Sequence, residues 1–359
     1  MSTLVRKVNV RLPADIGEGP VSFTAYQNAV RGTDKLDPDD IGTPIMGLFG
    51  EIGSLLAALK KKRRDPLAFA AYEAVITEEL GDALWYATAV LRRARLELAN
   101  QIRGALRSSE EWEHNEPAAG TFAEFAPKKI SGEIDLKGSM AELADHVGEL
   151  VRHERTGKLV NNPDAVAGDI VAILRALFAT ARSARIDISR AVRGNLEKIF
   201  SRYPLDRTYE TRIDTQLGWY ERLPDTMEIY FEEVSVGEKR YVFQRWNGVV
   251  IGDRLTDNKK EQDDYRFHDV FHVAYAVHLG WSPVLRSLLR LKRKSMPSTD
   301  ENEDGARAVL IEEGITTFIF GKALERNLFE GLERIDNDLL KLIQDFVRGF
   351  EPDCCALWQ

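Results

Sequence analysis

The sequence predicts a mainly α protein: a helical bundle over the first 204 residues, then a small antiparallel β-meander and a C-terminal helical domain. Three observations predict it. Apolar residues recur at intervals of three and four across 22–106, 139–203 and 263–349, the period of a helix that buries one face. Between about 226 and 256 that period gives way to runs rich in β-branched and aromatic residues. Polar runs rich in Ser, Glu, Gly, Pro and Lys punctuate the chain at 107–138 and 295–305. A chain of 359 residues can bury two or three cores, and 44% hydrophobic content is ordinary for a soluble protein. The expected divisions are 1–106 and 139–204 as two helical halves of one bundle, 107–138 as a linker or insert, 205–262 as the meander, and 263–359 as the C-terminal helices.

The first helical block is interrupted by a turn at Asp37 to Thr43 and by a break at Asp65-Pro66. The segment 107–138 is expected to be a loop or linker with at most short structure of its own. Helical periodicity returns at about 139 and ends at Tyr203-Pro204. EIYFEEV, KRYVFQRW and VVIGDRL then follow, separated by Val236-Gly237 and Asn247-Gly248. Asn-Gly between two such runs signals a hairpin, because a type I′ turn needs positive φ at both central positions. Helices resume from about 263, with a polar loop at SMPSTDENEDG.

Composition excludes several classes of function. MSTLVRKVNVRLPAD has no apolar core of a signal peptide, and no stretch approaches the roughly 18 uninterrupted apolar residues of a membrane span. The expectation is a cytoplasmic protein with no membrane partner. Cys354 and Cys355 are the two cysteines, and adjacency gives them neither a disulfide framework nor a spaced zinc motif. A formal charge of −8 argues against general nucleic-acid binding, which rests on a surplus of Lys and Arg. The local basic runs KKKRR (60–64) and RSLLRLKRK (286–294) can meet a few phosphates or simply be solvated helix ends.

The acids on two helices carry the chemistry. In GLFGEIGSLLAALKKK (47–62), Leu48, Glu51, Leu55 and Leu59 share one helical stripe, so Glu51 stands where the pattern calls for an apolar residue. In AVITEELGDALWYATAVL (74–91), Val75, Glu79, Asp82 and Tyr86 share another. A carboxylate taken into a core without a partner costs several kcal/mol, so three facing inward need cations or must protonate. Mg2+ suits them, because it is a hard ion that prefers carboxylate oxygen and sits between protein carboxylates and substrate phosphates. The alternative is a solvated acidic face or ion pairs with nearby basic residues.

These residues resemble the all-α nucleoside triphosphate pyrophosphohydrolases of the MazG-like group. The likeness covers about 22–203 and runs through FTAYQNAVRGT (23–33), GLFGEIGSLLAALK and EELGDALWYATAVL in the family's order. It implies ExxE and ExxD motifs holding Mg2+, with Mn2+ as a substitute, and cleavage of a nucleoside triphosphate to the monophosphate and pyrophosphate. Glu51 resembles the first Glu of ExxE, and Glu79 and Asp82 the ExxD pair, with Glu78 as a further candidate. Ser54 stands where the second Glu belongs, so either another ligand replaces it or the site is weakened. The resemblance also implies attack at the α-phosphorus. On electrostatic grounds a carboxylate not fully engaged with the metal, Glu78 or Glu79, is expected to accept the water proton, and basic side chains, Lys60 among them, to meet the phosphates.

The second helical half repeats the first in degenerate form. ADHVGELVRHERTGK (144–158) resembles EIGSLLAALKKK, with His146 at the place of Glu51 and Glu149 at that of Ser54. AVAGDIVAIL (165–174) resembles TEELGDALWY, with Asp169 at the place of Asp82. Glu149 and Asp169 are therefore candidates for the missing metal ligand. ARIDISRAVRGNLEKIFSRYP resembles the family's closing helix, on which Asn195, Lys198 and Arg202 share a face and are expected to meet nucleotide and phosphates. The first half is read as lacking this closing helix and the second as lacking the Tyr-Gln helix. Family members commonly dimerise, so a homodimer is one expectation, although an internal duplication can replace one partner.

YRFHDVFHVAYAVHLGW places His268 and His272 four apart on one face, with Asp269 beside them. Such a pair is either a hydrogen-bonded structural feature or part of an HD-type phosphohydrolase site, although no second upstream His completes the latter. AVLIEEGITTFIFGKAL (308–324) aligns with AVITEELGDALWYATAVL so that Glu312 and Glu313 fall at Glu78 and Glu79, with Thr316 replacing Asp82. This region resembles tails that accompany some MazG-like proteins. Besides the pyrophosphohydrolase, the residues leave open an HD-like phosphohydrolase acting through His268 and Asp269, and a non-catalytic nucleotide sensor whose ligand set decayed at Ser54.

Overall fold

The computed structural model describes residues 10–107, 120–125, 135–209 and 212–359. They form two compact units. Val10–Leu205 is one, and Asp206–Gln359 makes up the described part of the other.

The first unit contains α1 (Phe23–Thr33), α2 (Gly42–Arg64), α3 (Tyr72–Arg93), α4 (Leu98–Arg107), a 3-10 turn at Phe122–Phe125, α5 (Leu136–Arg155), α6 (Pro163–Ser183) and α7 (Ile188–Arg202). Local chemistry starts these helices. Ser22 Oγ accepts from Ala25 N at the head of α1, Asp135 accepts from Gly138 N at α5, and Asn162 with Pro163 behind it opens α6. The helices α2 and α3 pair as a hairpin, as do α5 and α6, and α2 packs on α5. Each hairpin is closed by a helix from the opposite half, α7 lying on α3 and α4 on α6.

That exchange corrects the expectation that each half lacks an element. ARLELANQIRGAL (94–106) and ARIDISRAVRGNL (184–196) follow α3 and α6 through the same cap, with Arg95 and Arg185 both at φ 58°. Ala94 N bonds Val90 O and Leu96 N bonds Leu91 O, while Ala184 N bonds Thr180 O and Ile186 N bonds Ala181 O. So α4 is a shortened closing helix. No Gly or Pro marks its start, which is why 22–106 reads as continuous; Gln27 of α1 holds the junction by accepting from Leu98 N at 2.7 Å. The counterpart of α1 is the 3-10 turn inside the expected linker. Ser22 and Thr121 form an antiparallel bridge, Phe23 N bonds Gly120 O and Phe122 N bonds Val21 O, each at 3.0 Å. Phe23 and Phe122 meet edge to face at 4.9 Å, so the turn is core rather than spacer.

Register also moves one assignment. Arg185 minus Arg95 is 90, and because α3 and α6 run unbroken back from that cap, Asp169 (79 + 90) stands level with Glu79, not with Asp82.

The second unit opens with β1 (Ile229–Val236), β2 (Lys239–Trp246) and β3 (Val249–Leu255) in an antiparallel meander of that order. Asn247 and Gly248 both have positive φ, as the β2–β3 turn requires. A 3-10 turn at Tyr265–Phe267 leads into α8 (Asp269–Leu279), α9 (Pro283–Leu288), α10 (Pro297–Asn302), α11 (Ala306–Leu324) and α12 (Asn337–Val347). The polar loop expected at 295–305 thus contains one short helix, started by Pro297. The apolar cluster on α11 and α12 is small, with Ile315, Ile319 and Val347 at its centre. Buried ion pairs supplement it. Arg266 bonds Asp257 and Glu233, Arg286 bonds Asp214 at 2.7 Å, and Arg293 bonds Asp304 at 2.7 Å and Glu351 at 2.9 Å.

Candidate functional site

In the first unit, Glu51 on α2 and Glu79 and Asp82 on α3 bring ligand oxygens within 4.8 Å of one another. The hairpin puts them there: Leu48, Ile52 and Leu55 of α2 and Ile76, Leu80 and Ala83 of α3 are buried, so the intervening acids face each other at the helix seam. The acids are half-buried. Burial pushes the Glu51 carboxyl up to about 8, helped by a hydrogen bond with Glu79 and by the negative charges of Asp82 and Glu79. Tyr86 is raised as well, by burial and then by Glu51. Its ring fills the space beside Gly47, where a Cβ would lie 2.2 Å from the ring.

The second half completes this site through α7. Lys198 Nζ donates to Glu78 Oε1 at 3.0 Å and to both oxygens of Asp82, and Asn195 Nδ2 donates to Asp82 Oδ1 at 2.6 Å. The Tyr26 hydroxyl donates to Asn195 Oδ1 at 3.3 Å from a fully buried position. Burial works to lower the Lys198 pKa, yet Asp82 and Glu78 outweigh it and the ammonium is held above its usual range. Close helix approach makes these bonds reachable, since a Cβ on Gly81 would lie 2.7 Å from the Ala191 carbonyl. Tyr26 and Tyr86 escape a search for charged residues; their signal is their place in FTAYQNAV and on the Glu79–Asp82 stripe.

Other sequence candidates lie elsewhere. Lys60 is exposed on α2, nine residues beyond Glu51 and therefore about half a turn around the helix from it. Arg202 lies one turn past Lys198, with its guanidinium 5.4 Å from the Tyr203 ring. Ser54 is half-buried on α2 and no member of the carboxylate cluster. Glu149 and Asp169 do not supply the missing ligand. Glu149 is bonded to Arg152, and Asp169 Oδ2 lies 2.7 Å from His153 Nδ1, a residue the sequence reading did not single out. His146 lies 3.7 Å from Glu142. In the α5–α6 hairpin Asp169, level with Glu79, is thus paired with His153, which stands near the end of α5 and not at the place of Glu51, and Ala105 stands at the place of Asn195.

The second unit gathers a different set. His268, Asp269 and His272 are buried with ligand atoms within 4.8 Å of one another. The two imidazoles meet edge to face at 5.8 Å, and each is hydrogen-bonded to a third group instead of to the other. His268 Nδ1 lies 2.8 Å from the Tyr265 carbonyl, and His272 Nδ1 lies 2.8 Å from Glu312 Oε1. Glu312 is fully buried and also accepts from Ser282 Oγ at 2.6 Å and Val284 N at 2.8 Å. Glu313 is partly exposed, 3.6 Å from His272 Nε2. Thr316 is buried and bonds back to the Glu312 carbonyl. Burial works to lower the His272 pKa, but Glu312 wins and it is raised. A separate cavity of about 260 Å³ is lined by His278, Tyr209 and Cys354, and by none of these clustered residues.

Comparison with known proteins supports the second unit directly. No curated protein and no solved structure matches the chain. Residues 208–359 match the family described as the MazG C-terminal domain, which is consistent with a MazG-like protein that carries a C-terminal module.

Proposed function

We propose that the first unit is a Mg2+-dependent nucleoside triphosphate pyrophosphohydrolase, converting a ribo- or deoxyribonucleoside triphosphate and water to the monophosphate and pyrophosphate. The observation that carries this reading is the seam of Glu51, Glu79 and Asp82 facing Lys198 and Asn195. The donor set fits a hard divalent ion: three carboxylates converge, and burial, with the neighbouring Glu79 and Asp82, pushes the Glu51 carboxyl up to about 8. Glu51, Glu79 and Asp82 would hold the magnesium, which would supply positive charge to the phosphates and make the attacking water easier to deprotonate.

The chain's own groups divide the remaining work. Glu78 lies outside the three-member cluster and faces Lys198, which suits it to accept the proton of the attacking water. Lys198 offsets the charge that develops on the departing pyrophosphate. Asn195, held by Tyr26, fixes the orientation of Asp82. Because α7 comes from the same chain, Lys198 and Asn195 reach Asp82 without a second copy.

The test incubates purified protein with a panel of nucleoside triphosphates and Mg2+, resolving nucleotides and assaying pyrophosphate. Monophosphate with pyrophosphate supports the reading, and inorganic phosphate alone contradicts it. Unchanged turnover in Glu79→Gln sinks the site assignment. A second reading, phosphohydrolysis at the His268–Asp269 pair, is favoured by their 3.1 Å approach. It requires that activity vanish in His268→Ala and survive in Glu51→Gln.

A further inference from the structure

The geometry of the C-terminal unit points to a binding site for one divalent transition metal ion of the zinc class, and we propose that its ligands are His268 Nε2, His272 Nε2 and Asp269 Oδ1. This goes beyond the pyrophosphohydrolase reading and does not depend on it.

The ligand atoms are spaced as such an ion needs. His268 Nε2 lies 3.1 Å from Asp269 Oδ1, and His272 Nε2 lies 3.9 Å from the same oxygen. Metal–ligand bonds of about 2.1 Å in tetrahedral array put neighbouring ligand atoms about 3.4 Å apart, between the two observed values.

The nitrogens are presented with their lone pairs available. Each Nδ1 faces an acceptor, the Tyr265 carbonyl for His268 and the Glu312 carboxylate for His272, so each neutral ring carries its proton on Nδ1. His272 Nε2 is completely buried and has no hydrogen-bond partner. A buried polar atom without a partner is costly to the fold, and a ligand arriving there relieves that cost.

Every proposed ligand also has an orienting partner. Gln244 of β2, itself buried, donates its amide to Asp269 Oδ2 and leaves Oδ1 toward the imidazoles. Tyr265 stacks on His268 with ring centroids 4.3 Å apart and planes within 2°. Glu312 is fixed by Ser282 and the Val284 amide before it meets His272. Imidazole and carboxylate ligands whose far sides are bonded to carbonyl, carboxylate and amide are the outer shell of a transition-metal centre. Two imidazoles also select against Mg2+, which favours oxygen, so the two units would sort their ions by ligand type. The fourth position falls to water or to the partly exposed Glu313, 3.6 Å from His272 Nε2.

The test strips the full-length protein with a chelator and titrates it with Co2+ in excess Mg2+, reading visible ligand-field absorption. One Co2+ per chain, displaced by Zn2+, is expected. The absorption should persist in Glu51→Gln/Asp82→Asn and disappear in His268→Gln and Asp269→Asn. Glu312→Gln, which touches no metal, should weaken the affinity about 10–100-fold at unchanged stoichiometry. Circular dichroism checks that each variant is folded, and X-ray absorption on the wild-type protein reads nitrogen ligation without any substitution. No Co2+ retained, ligation by oxygen alone, or uptake unchanged in folded His268→Gln overturns the proposal.

Discussion

Replacing Gly81 by alanine tests the helix crossing that brings α7 to the carboxylates. The added Cβ would lie 2.7 Å from the Ala191 carbonyl oxygen and 3.0 Å from Asn195 Cβ, against an ordinary contact that begins at 3.4 Å. The first obstacle is backbone, so α7 must shift by several tenths of an ångström or α3 must bend, and overpacking of this kind costs about 1–3 kcal/mol. Alanine also gains about 1 kcal/mol of helix propensity over glycine. Gly168→Ala on α6 supplies the control, because nothing lies within 4 Å of its added Cβ and only the propensity gain remains. The difference between the two variants therefore isolates the clash, about 1–3 kcal/mol in favour of Gly168→Ala. Denaturant unfolding followed by circular dichroism measures it. The same shift moves Lys198 and Asn195 off Asp82, so turnover should fall in Gly81→Ala and hold in Gly168→Ala. Equal stability changes and equal turnover would refute the packing argument.

Three further outcomes follow from the same groups. In metal-free protein the Glu51 pKa of about 8 lies above its unfolded value of about 4.3, so its contribution is fully present below the latter and is lost as pH rises through the former. Mg2+ should accordingly raise the unfolding midpoint more at about pH 9 than at about pH 6, and equal shifts in thermal denaturation would contradict the raised carboxyl. Ser54→Glu restores a carboxylate one turn from Glu51 and should lower the Mg2+ concentration needed for half-maximal turnover; an unchanged requirement in a Mg2+ titration counts against Ser54 as the weak point. Arg286→Met leaves Asp214 buried with less compensation and should cost the C-terminal unit about 3–5 kcal/mol. A loss under about 1 kcal/mol in its denaturant midpoint would show the pair to be dispensable.

Much of the helical architecture and the carboxylate cluster is legible in the residues. Leu48, Leu55 and Leu59 are buried with Glu51 among them because a stripe of 3.6-residue period must face the core. The meander is legible because Asn247-Gly248 takes the backbone angles that few other pairs adopt. The closing-helix exchange is not: Arg95 and Arg185 turn the chain in a left-handed conformation without a Gly or Pro to mark it. Pairing α7 with α3 and α4 with α6 is a tertiary choice that local periodicity cannot encode. The same limit hides the bond of Lys198 to Asp82, which spans 116 residues, and the role of His153, which binds Asp169 in its own hairpin. In the C-terminal domain the sequence exposes the His268–His272 spacing, whereas Gln244 on β2 and Glu312 on α11 join it only through the fold.

In the proposed reaction the Glu51–Glu79–Asp82 site directs water to the α-phosphorus of a nucleoside triphosphate. Turnover in water enriched in heavy oxygen, with mass spectrometry of both products, tests it most directly. Attack at the α-phosphorus places one heavy oxygen in the nucleoside monophosphate and none in the pyrophosphate. Label in pyrophosphate or inorganic phosphate, or label in the monophosphate that persists in Glu79→Gln, would contradict it.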